Sequence, residues 1–358
     1  MANMKQIARR AGVSLGTVSH VLNGTARVRE PLRKRVEETV LFLGYQPSAL
    51  ARGLRRDRTN IIGMVIPDIA NPFFPAVVRG AEDIAFSNRY RMILCNTDND
   101  HSKELAHLNE LRTFLPSGLI VIPSNFSDLT KQADLYHKSG TAVVCVDRLP
   151  KRWQGDSITV ANEQGAHAVT RHLIQLGHER IAIITGPLHL TSSEQRLKGY
   201  RRAMATARRK VPPEYLQESL FDLESGRQKA LLLLRLLPHP TAIFAADDMI
   251  AMGVLQAIRH LGLRCPEDVS VVGFDDLEFS SLLHPPLSSV YQPGYQLGAT
   301  AARLLLDRVN GDTGPAKHIV LETELRIRES VAPPKDAKSP GAGSRKKSRP
   351  KRPAQNKN

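Results

Sequence analysis

Carboxylates in this 358-residue chain recur just after short apolar runs, at Asp68, Asp98, Asp147, Asp247–Asp248 and Asp275–Asp276, with Asn71 and Arg148 among them. Such groups can accept hydrogen bonds from hydroxyls, cap helix N-termini, or serve as acid and base in glycoside cleavage. Cleavage needs two carboxyls that face one reacting bond. Adjacent residues at a strand end point in opposite directions, so pairs such as Asp247–Asp248 suit binding or capping better than paired catalysis. The chain holds no GxSxG, HExxH or P-loop sequence, and His167, His172 and His178 lack a ligand spacing and are expected on helix surfaces or turns. The sequence therefore reads as a binding protein, with no catalytic residue, metal or cofactor.

The elements around these residues alternate. Short β-branched and apolar runs at 61–67, 91–96, 118–123, 141–147, 157–160, 180–186, 241–247 and 268–276 read as buried parallel strands. Helical patterns lie between them at 77–88, 103–115, 163–176, 196–208, 225–236 and 249–261. This β-α-β-α order predicts two doubly wound α/β units within 60–332. Ligands of such sheets bind beyond the carboxyl ends of the strands, which is where the polar residues cluster.

The N-terminal segment has a different pattern. KQIARRAGVSLGTVSHVLN (5–23) reads as a helix-turn-helix: Ala8 is small where two helices approach, Gly12 supplies a positive-φ turn, and Ser14 caps the second helix. Val18, Val21 and Leu22 fall on one face of that helix and Leu15, Gly16, Thr17, Ser19 and His20 on the other, a short polar face open to DNA. A third helix is expected over 31–43, stopped by Gly44. ALARGLRR (49–56) is too short for a stable isolated helix and should become helical only on DNA or a partner subunit.

Charge supports a nucleic-acid partner. Residues 1–58 carry twelve Lys and Arg against four Asp and Glu, residues 333–358 carry nine against one, and the stretch between is nearly balanced, with 29 against 30. Cys95, Cys145 and Cys265 are odd in number and far apart, which fits reduced thiols and a cytoplasmic, nucleoid-associated location. No run approaches the length of a membrane span and no leader-like apolar segment stands at the start, so neither a membrane nor a secreted receptor is expected.

Together, AGVSLGTVSHVLNG (11–24), GYQPSALARGLRR (44–56), IGMVIPDIANPFFPAVVRGAE (62–82), VDRLP (146–150), HLIQLGHERIAIITGP (172–187), QRLKGY (195–200), FAADDMIAMG (244–253) and PEDVSVVGFDDLEFSSLLHPPLSSVYQP (266–293) resemble the lac repressor family of bacterial transcription regulators. The likeness covers about 1–332. It implies a small all-α helix-turn-helix domain (1–47), a hinge helix and linker (48–59), and a two-lobed, periplasmic-binding-protein-like α/β domain of doubly wound parallel sheets (60–332). The N-lobe would take about 60–160 and 291–319, and the C-lobe about 161–290 and 320–332.

The resemblance also implies roles. Leu15, Gly16 and His20 would read bases while Thr17, Ser19 and Asn23 touch phosphates, and Leu54 would wedge into the minor groove. His20 stands where relatives commonly carry arginine, so a single donor replaces a fork. Asn71, Phe73, Phe74, Asp147, Arg196, Phe221, Asp247, Asp275 and Gln292 match positions that line effector pockets. Carboxylates, a forked guanidinium and aromatic faces suit a sugar or sugar derivative, with a purine as the alternative. The implied protein is a homodimeric repressor, controlled allosterically by that ligand, on near-palindromic double-stranded operator DNA. The tail 333–358 has Pro, Gly, Ser and basic residues, lacks Leu, Ile and aromatics beyond its root, and is expected to be disordered.

Overall fold

The computed structural model describes residues 2–24, 26–45, 59–124 and 129–335. The expected hinge segment, with Leu54, and the tail beyond Lys335 lie outside the described residues. The head is three helices, α1 (Met4–Ala11), α2 (Leu15–Asn23) and α3 (Glu30–Phe42). Asn3 and Gln6 form a reciprocal cap on α1: the Asn3 side chain accepts from the Gln6 amide at 3.0 Å and the Gln6 side chain accepts from the Asn3 amide at 2.9 Å. Gly12 takes φ 64° between α1 and α2, and the Ser14 hydroxyl accepts from the Thr17 amide at 3.1 Å to start α2. Ile7, Ala8, Ala11, Val18 and Val36 form the shared core, with Val21, Leu22 and Tyr45 packed on it.

Residues 59–335 make two lobes. The first sheet holds β1 (Ile61–Ile66), β2 (Arg91–Asn96), β3 (Gly118–Val121), β4 (Ala142–Val146), β5 (Asp156–Val160) and β11 (His318–Leu321), in the parallel order β11-β5-β4-β3-β1-β2. Helices α4 (Phe73–Ser87), α5 (His101–Thr113), α6 (Leu129–Lys138) and α11 (Gly294–Val309) cover it. The second sheet holds β6 (Ile181–Thr185), β7 (Leu216–Glu218), β8 (Ala242–Ala245), β9 (Ser270–Asp275), β10 (Ser288–Tyr291) and β12 (Glu324–Arg326), in the order β12-β10-β9-β8-β6-β7. It is parallel except for β12, which runs antiparallel to β10. Helices α7 (Asn162–Gln175), α8 (Thr191–Thr206), α9 (Leu223–Leu234) and α10 (Asp248–His260) cover this sheet.

The chain crosses between lobes after β5, after β10 and between β11 and β12. Because β11 stays paired with β5 through Leu321, the last crossover falls at 322–323 rather than at 319–320. His178 is a correction to the sequence reading: it is buried, not on a surface. Its Nδ1 pairs with the Thr241 hydroxyl and its Nε2 with the Ala332 carbonyl, both at 3.0 Å, and burial pushes its pKa down to about 4. A neutral imidazole thus fastens the C-terminal segment to the base of the second sheet.

Two glycines fix how α4 meets α11. A Cβ on Gly80 would lie 1.9 Å from the Tyr295 carbonyl oxygen, and one on Gly298 would lie 1.8 Å from that of Val77. The two backbones therefore touch, and the contact holds the start of α4, with Phe73 and Phe74, beside Gln292 just ahead of α11. Alanine at Gly298 gains about 1 kcal/mol of helix propensity but forces two backbones apart, and overpacking of that kind costs roughly 1–3 kcal/mol or more. Gly298→Ala should therefore lower the unfolding free energy by up to about 2 kcal/mol in a urea titration; a more stable variant would contradict the close contact.

Candidate functional site

The polar residues of the inter-lobe cleft, Arg196 within α8 apart, follow strand ends or open helices. After β1, the Asp68 carboxylate accepts from the Ala70 amide at 2.8 Å and turns the chain, and the Asn71 side chain accepts from the Phe73 amide at 3.0 Å to start α4. Asp147 and Arg148 follow β4. From the other lobe come Asp247 after β8, Asp275 at the end of β9, Arg196 in α8 and Phe221 ahead of α9, and Gln292 stands after β10 where the chain crosses back to the first lobe. All nine residues expected to line a pocket surround one cavity of about 20 Å³, joined by Arg148 and Ser192. Ser192 was missed because the helical pattern was read to begin only at Arg196, whereas α8 starts at Thr191. A wider open groove of about 770 Å³ adjoins the cavity and shares Phe73, Asp275 and Gln292 with it.

The cavity walls are bonded to one another. Asn71 of the first lobe donates to the Asp247 carboxylate of the second at 3.1 Å. The other oxygen of Asp247 accepts from the Met249 and Ile250 amides at 2.6 and 3.1 Å, so the same carboxylate caps α10. Asp275 shares a carboxyl–carboxyl hydrogen bond with Asp247, accepts from the Gln292 side chain, and lies 3.9 Å from the Arg196 guanidinium. Arg196 donates to Asn162 at 2.8 Å and to the Ala246 carbonyl at 2.5 Å, and stacks 3.8 Å above the Phe274 ring. Arg148 sits over Phe74 and Phe221 at 5.4 and 5.5 Å, and its Nε lies 3.5 Å from Asp147. In this cavity, Asp147 Oδ1, Arg148 Nε and Gln292 Oε1 are buried without a hydrogen bond.

Three of the ten non-glycine residues with positive φ among the described residues line this cavity. Asp147, Phe221 and Asp275 take φ of 63°, 58° and 117°, values that side-chain-bearing residues avoid and that persist where the surroundings over-determine them. The ring of Phe221 occupies the space a Cβ on Gly186 would need. Of the neighbouring carboxylates, Asp248 turns away from the cavity to accept from Ser280, Ser289 and the Leu277 amide at 2.5, 2.6 and 3.0 Å. Asp276 turns away to Arg326 and Arg328 at 2.8 and 2.6 Å. Asp98 lies outside the cavity, paired with Lys103 at 2.5 Å. The opposed directions of adjacent strand-end carboxylates leave Asp247 and Asp275 as the pair that meets.

Burial dominates the electrostatics. Asp247, Asp248 and Asp275 are 3%, 0% and 5% exposed, and desolvation raises all three above the usual carboxylate range. Asp248 reaches about 7 despite its three donors, and Asp275 is raised further by the adjacent Asp247 charge. Two carboxyls in hydrogen-bond contact hold one proton between them more readily than they hold two charges. Burial also lowers the pKa of Arg148, opposed mainly by Asp147.

On the head, Leu15, Gly16 and His20 are exposed and Thr17 and Ser19 half-buried on α2, while Asn23 closes the helix. Leu15 keeps 44% of its surface exposed although it is a large apolar side chain. The Thr17 hydroxyl lies 2.9 Å from that of Ser14, within the cap.

A helix-turn-helix head on a two-lobed α/β body with a polar inter-lobe cleft defines a ligand-responsive DNA-binding regulator. The comparisons agree. Residues 3–48 match the model of bacterial regulatory proteins of the lacI family, and 170–331 match that of a periplasmic binding protein-like domain. The ribose operon repressor of Haemophilus influenzae is 37% identical over 331 residues, covering 92% of this chain and 99% of that protein. The structure of the lac repressor dimer bound to operator and the anti-inducer ONPF aligns over 92% of this chain and 99% of its own, with 27% identity and a TM-score of 0.81. A LacI family regulator from Enterococcus faecium with bound ribose covers 76% and 99%, with 28% identity and a TM-score of 0.68. The chain belongs to the lacI family of bacterial regulatory proteins. It is a DNA-binding transcriptional regulator of a non-enzymatic family, and no helix among its described residues is long and apolar enough to cross a membrane.

The raised carboxylates set a pH dependence. Their folded-state pKa values exceed the unfolded ones, so the folded protein holds protons that the unfolded chain has released. Their stabilising contribution is therefore full at low pH and is lost as pH rises from about 4 through about 7, the value for Asp248. Melting temperatures recorded between pH 5 and pH 8 should fall with rising pH, and Asp275→Asn should flatten that fall; a wild-type slope unchanged in the variant would show that the cleft carboxyls do not titrate here.

Proposed function

We propose that this regulator is a homodimeric repressor whose operator affinity is set by a monosaccharide, or a close derivative, bound between the lobes. One observation carries the ligand reading: Asn71, Phe73, Phe74, Asp147, Arg196, Phe221, Asp247, Asp275 and Gln292 converge on one small cavity. Carboxylates that accept from hydroxyls, guanidinium and amide donors for ring and hydroxyl oxygens, and aromatic rings for the apolar face make a site for a polyhydroxylated ring. A purine, the alternative, needs aromatic stacking above all, and here the cation Arg148 lies over the Phe74 and Phe221 rings. The relatives named for a ribose operon and described with bound ribose support the sugar.

A cavity of about 20 Å³ holds one water-sized body, whereas small-molecule pockets run to roughly 300–1,000 Å³. Binding thus requires the walls to part and the Asn71–Asp247 and Asp247–Asp275 bonds to be exchanged for bonds to the ligand. A ligand that changes the free energy of lobe closure shifts whichever arrangement of the heads goes with it.

On DNA, the nine-residue α2 reads too few base pairs alone, which favours two heads on a near-palindromic double-stranded site, as in the lac repressor dimer on its operator. Leu15, Gly16 and His20 are assigned to bases, Thr17, Ser19 and Asn23 to phosphates, and Leu54 to the central minor groove. Such a protein works on the nucleoid in the cytoplasm. Asp147→Asn or Gln292→Ala should weaken a sugar found by thermal shift among pentoses, hexoses and purines by about 10–100-fold, since a charge-assisted hydrogen bond contributes roughly 1.5–3 kcal/mol. Footprints of the same variants without ligand should keep two dyad-related half-sites at unchanged protein concentration. A purine as the sole stabilising compound, or a single protected half-site, would overturn this reading.

A further inference from the structure

The segment that follows β4 belongs to the first lobe but reaches the second. The Asp147 amide donates to the Ile158 carbonyl at 2.9 Å, and the Arg148 amide donates back to the Val146 carbonyl at 2.7 Å around Asp147 at φ 63°, a γ-turn of the rare hand. Past this turn the chain is fastened to its own lobe. The Leu149 and Trp153 side chains pack on the core of Val65, Leu119, Tyr136 and Cys145, the Trp153 amide donates to the Pro150 carbonyl at 3.1 Å, and its indole donates to the Asp156 carbonyl at 3.0 Å. Asp156 is in turn gripped by the Arg308 guanidinium at 2.8 and 2.9 Å. The tongue 147–156 therefore moves as part of the first lobe.

Two groups of this tongue touch the second lobe. The Arg148 guanidinium lies over the ring of Phe221, and the Leu149 amide donates to the Thr191 hydroxyl, at the start of α8, at 2.9 Å. Arg148 and Ser192, the neighbours of the bonded pair, line the cavity, while Leu149 and Thr191 themselves do not. The bond thus stands one residue outside the binding wall on both sides. Another inter-lobe hydrogen bond, Asn71 to Asp247, comes from beyond the end of β1, which β3 separates from β4 in the sheet. The cleft is therefore held at two separate points, one of them clear of the cavity.

We propose that the Leu149–Thr191 bond is a latch on the cleft, and that Thr191 is a positioning residue governing how often the lobes part without itself touching what binds between them. The donor is backbone in a tongue fixed to one lobe, and the acceptor is a β-branched side chain, stiff at χ1, on the first residue of a 16-residue helix of the other. Separation of the lobes must break it. A net hydrogen bond of this kind favours the closed arrangement about two- to tenfold, enough to change the frequency of opening and too little to prevent it. The latch presupposes the two-lobed cleft and not the identity of its ligand, so the sugar reading can fail while the latch stands.

Hydrogen–deuterium exchange of the full chain, read at the Leu149 amide by mass spectrometry with residue-level fragmentation, tests this with no ligand, and the Trp153 amide of the same tongue serves as internal reference. In wild type Leu149 should exchange about tenfold or more slower than an unstructured amide. Thr191→Val, which keeps the shape and removes the acceptor, should speed Leu149 about three- to tenfold, Thr191→Ser should stay within about twofold of wild type, and Trp153 should hold its rate in both. Coupling to the lobes is read from Asn71→Ser, which keeps a side-chain oxygen for the turn into α4 but is too short to reach Asp247. Loss of that bond to a carboxylate should speed Leu149 about tenfold or more, although position 71 does not touch it. An unprotected Leu149 in wild type, an unchanged rate in Thr191→Val, or a Thr191→Ser variant as fast as Thr191→Val would each overturn the latch. So would a Leu149 rate unmoved in Asn71→Ser, which would make the bond a local contact, or Trp153 accelerating in step with Leu149, which would make the event an unfolding of the tongue.

Discussion

The contact on which the body depends is the meeting of two buried carboxyls, Asp247 and Asp275, across from Asn71. Asp247 caps α10 with one oxygen and takes the first lobe's Asn71 with the other, so the same group ends a strand, starts a helix and ties the lobes together. Each carboxyl is almost wholly buried, and the nearest guanidinium, Arg196, is 3.9 Å from Asp275 and engaged elsewhere. Full ionisation of both would set two buried negative charges against the single cation of Arg196 in a low-dielectric site, so a shared proton is the economical arrangement. Under the proposed function, a sugar whose hydroxyls donate to these oxygens takes over bonds that now hold the cleft shut.

That arrangement needs rigid supports, and the supports are backbone features. Glycines at 80 and 298 let α4 and α11 touch, which sets Gln292 and the Phe73–Phe74 pair against the opposite lobe; the two rings stand edge to face at 5.3 Å. Asp147, Phe221 and Asp275 are held at positive φ with their side chains lining the cavity. Asp248 does the complementary work by anchoring 277–289 through two hydroxyls and an amide, and so keeps the end of β9 in place.

The regular parts of this structure were legible in the residues. Strands such as IIGMVI and AVVCV are continuous apolar runs, as central parallel strands buried on both faces must be, and Ala8, Gly12 and Ser14 announced the packing, turn and cap of the head. The pocket was legible only through resemblance, since nothing local distinguishes Asp275, which meets Asp247, from Asp276, which meets two arginines. Helices α6 and α11 and the short strands β7, β10, β11 and β12 went unassigned: the strands are three or four residues long, and in α11 the polar face is only the narrow stripe of Gln296, Thr300, Arg303 and Asp307 beside a wide buried one. His178 misled because its two partners, Thr241 and Ala332, are 63 and 154 residues away. The strained φ angles leave no trace in composition.

The central claim is that the cleft carboxyls keep a proton under conditions that ionise an ordinary Asp. Infrared spectroscopy reads this directly, as the carboxylic C=O band in the difference between wild type and Asp275→Asn at about pH 6, roughly two units above the usual Asp value. A protonated-carboxyl band present in wild type and missing in the variant is the result this account requires. A difference spectrum showing only the loss of an ionised carboxylate would contradict it.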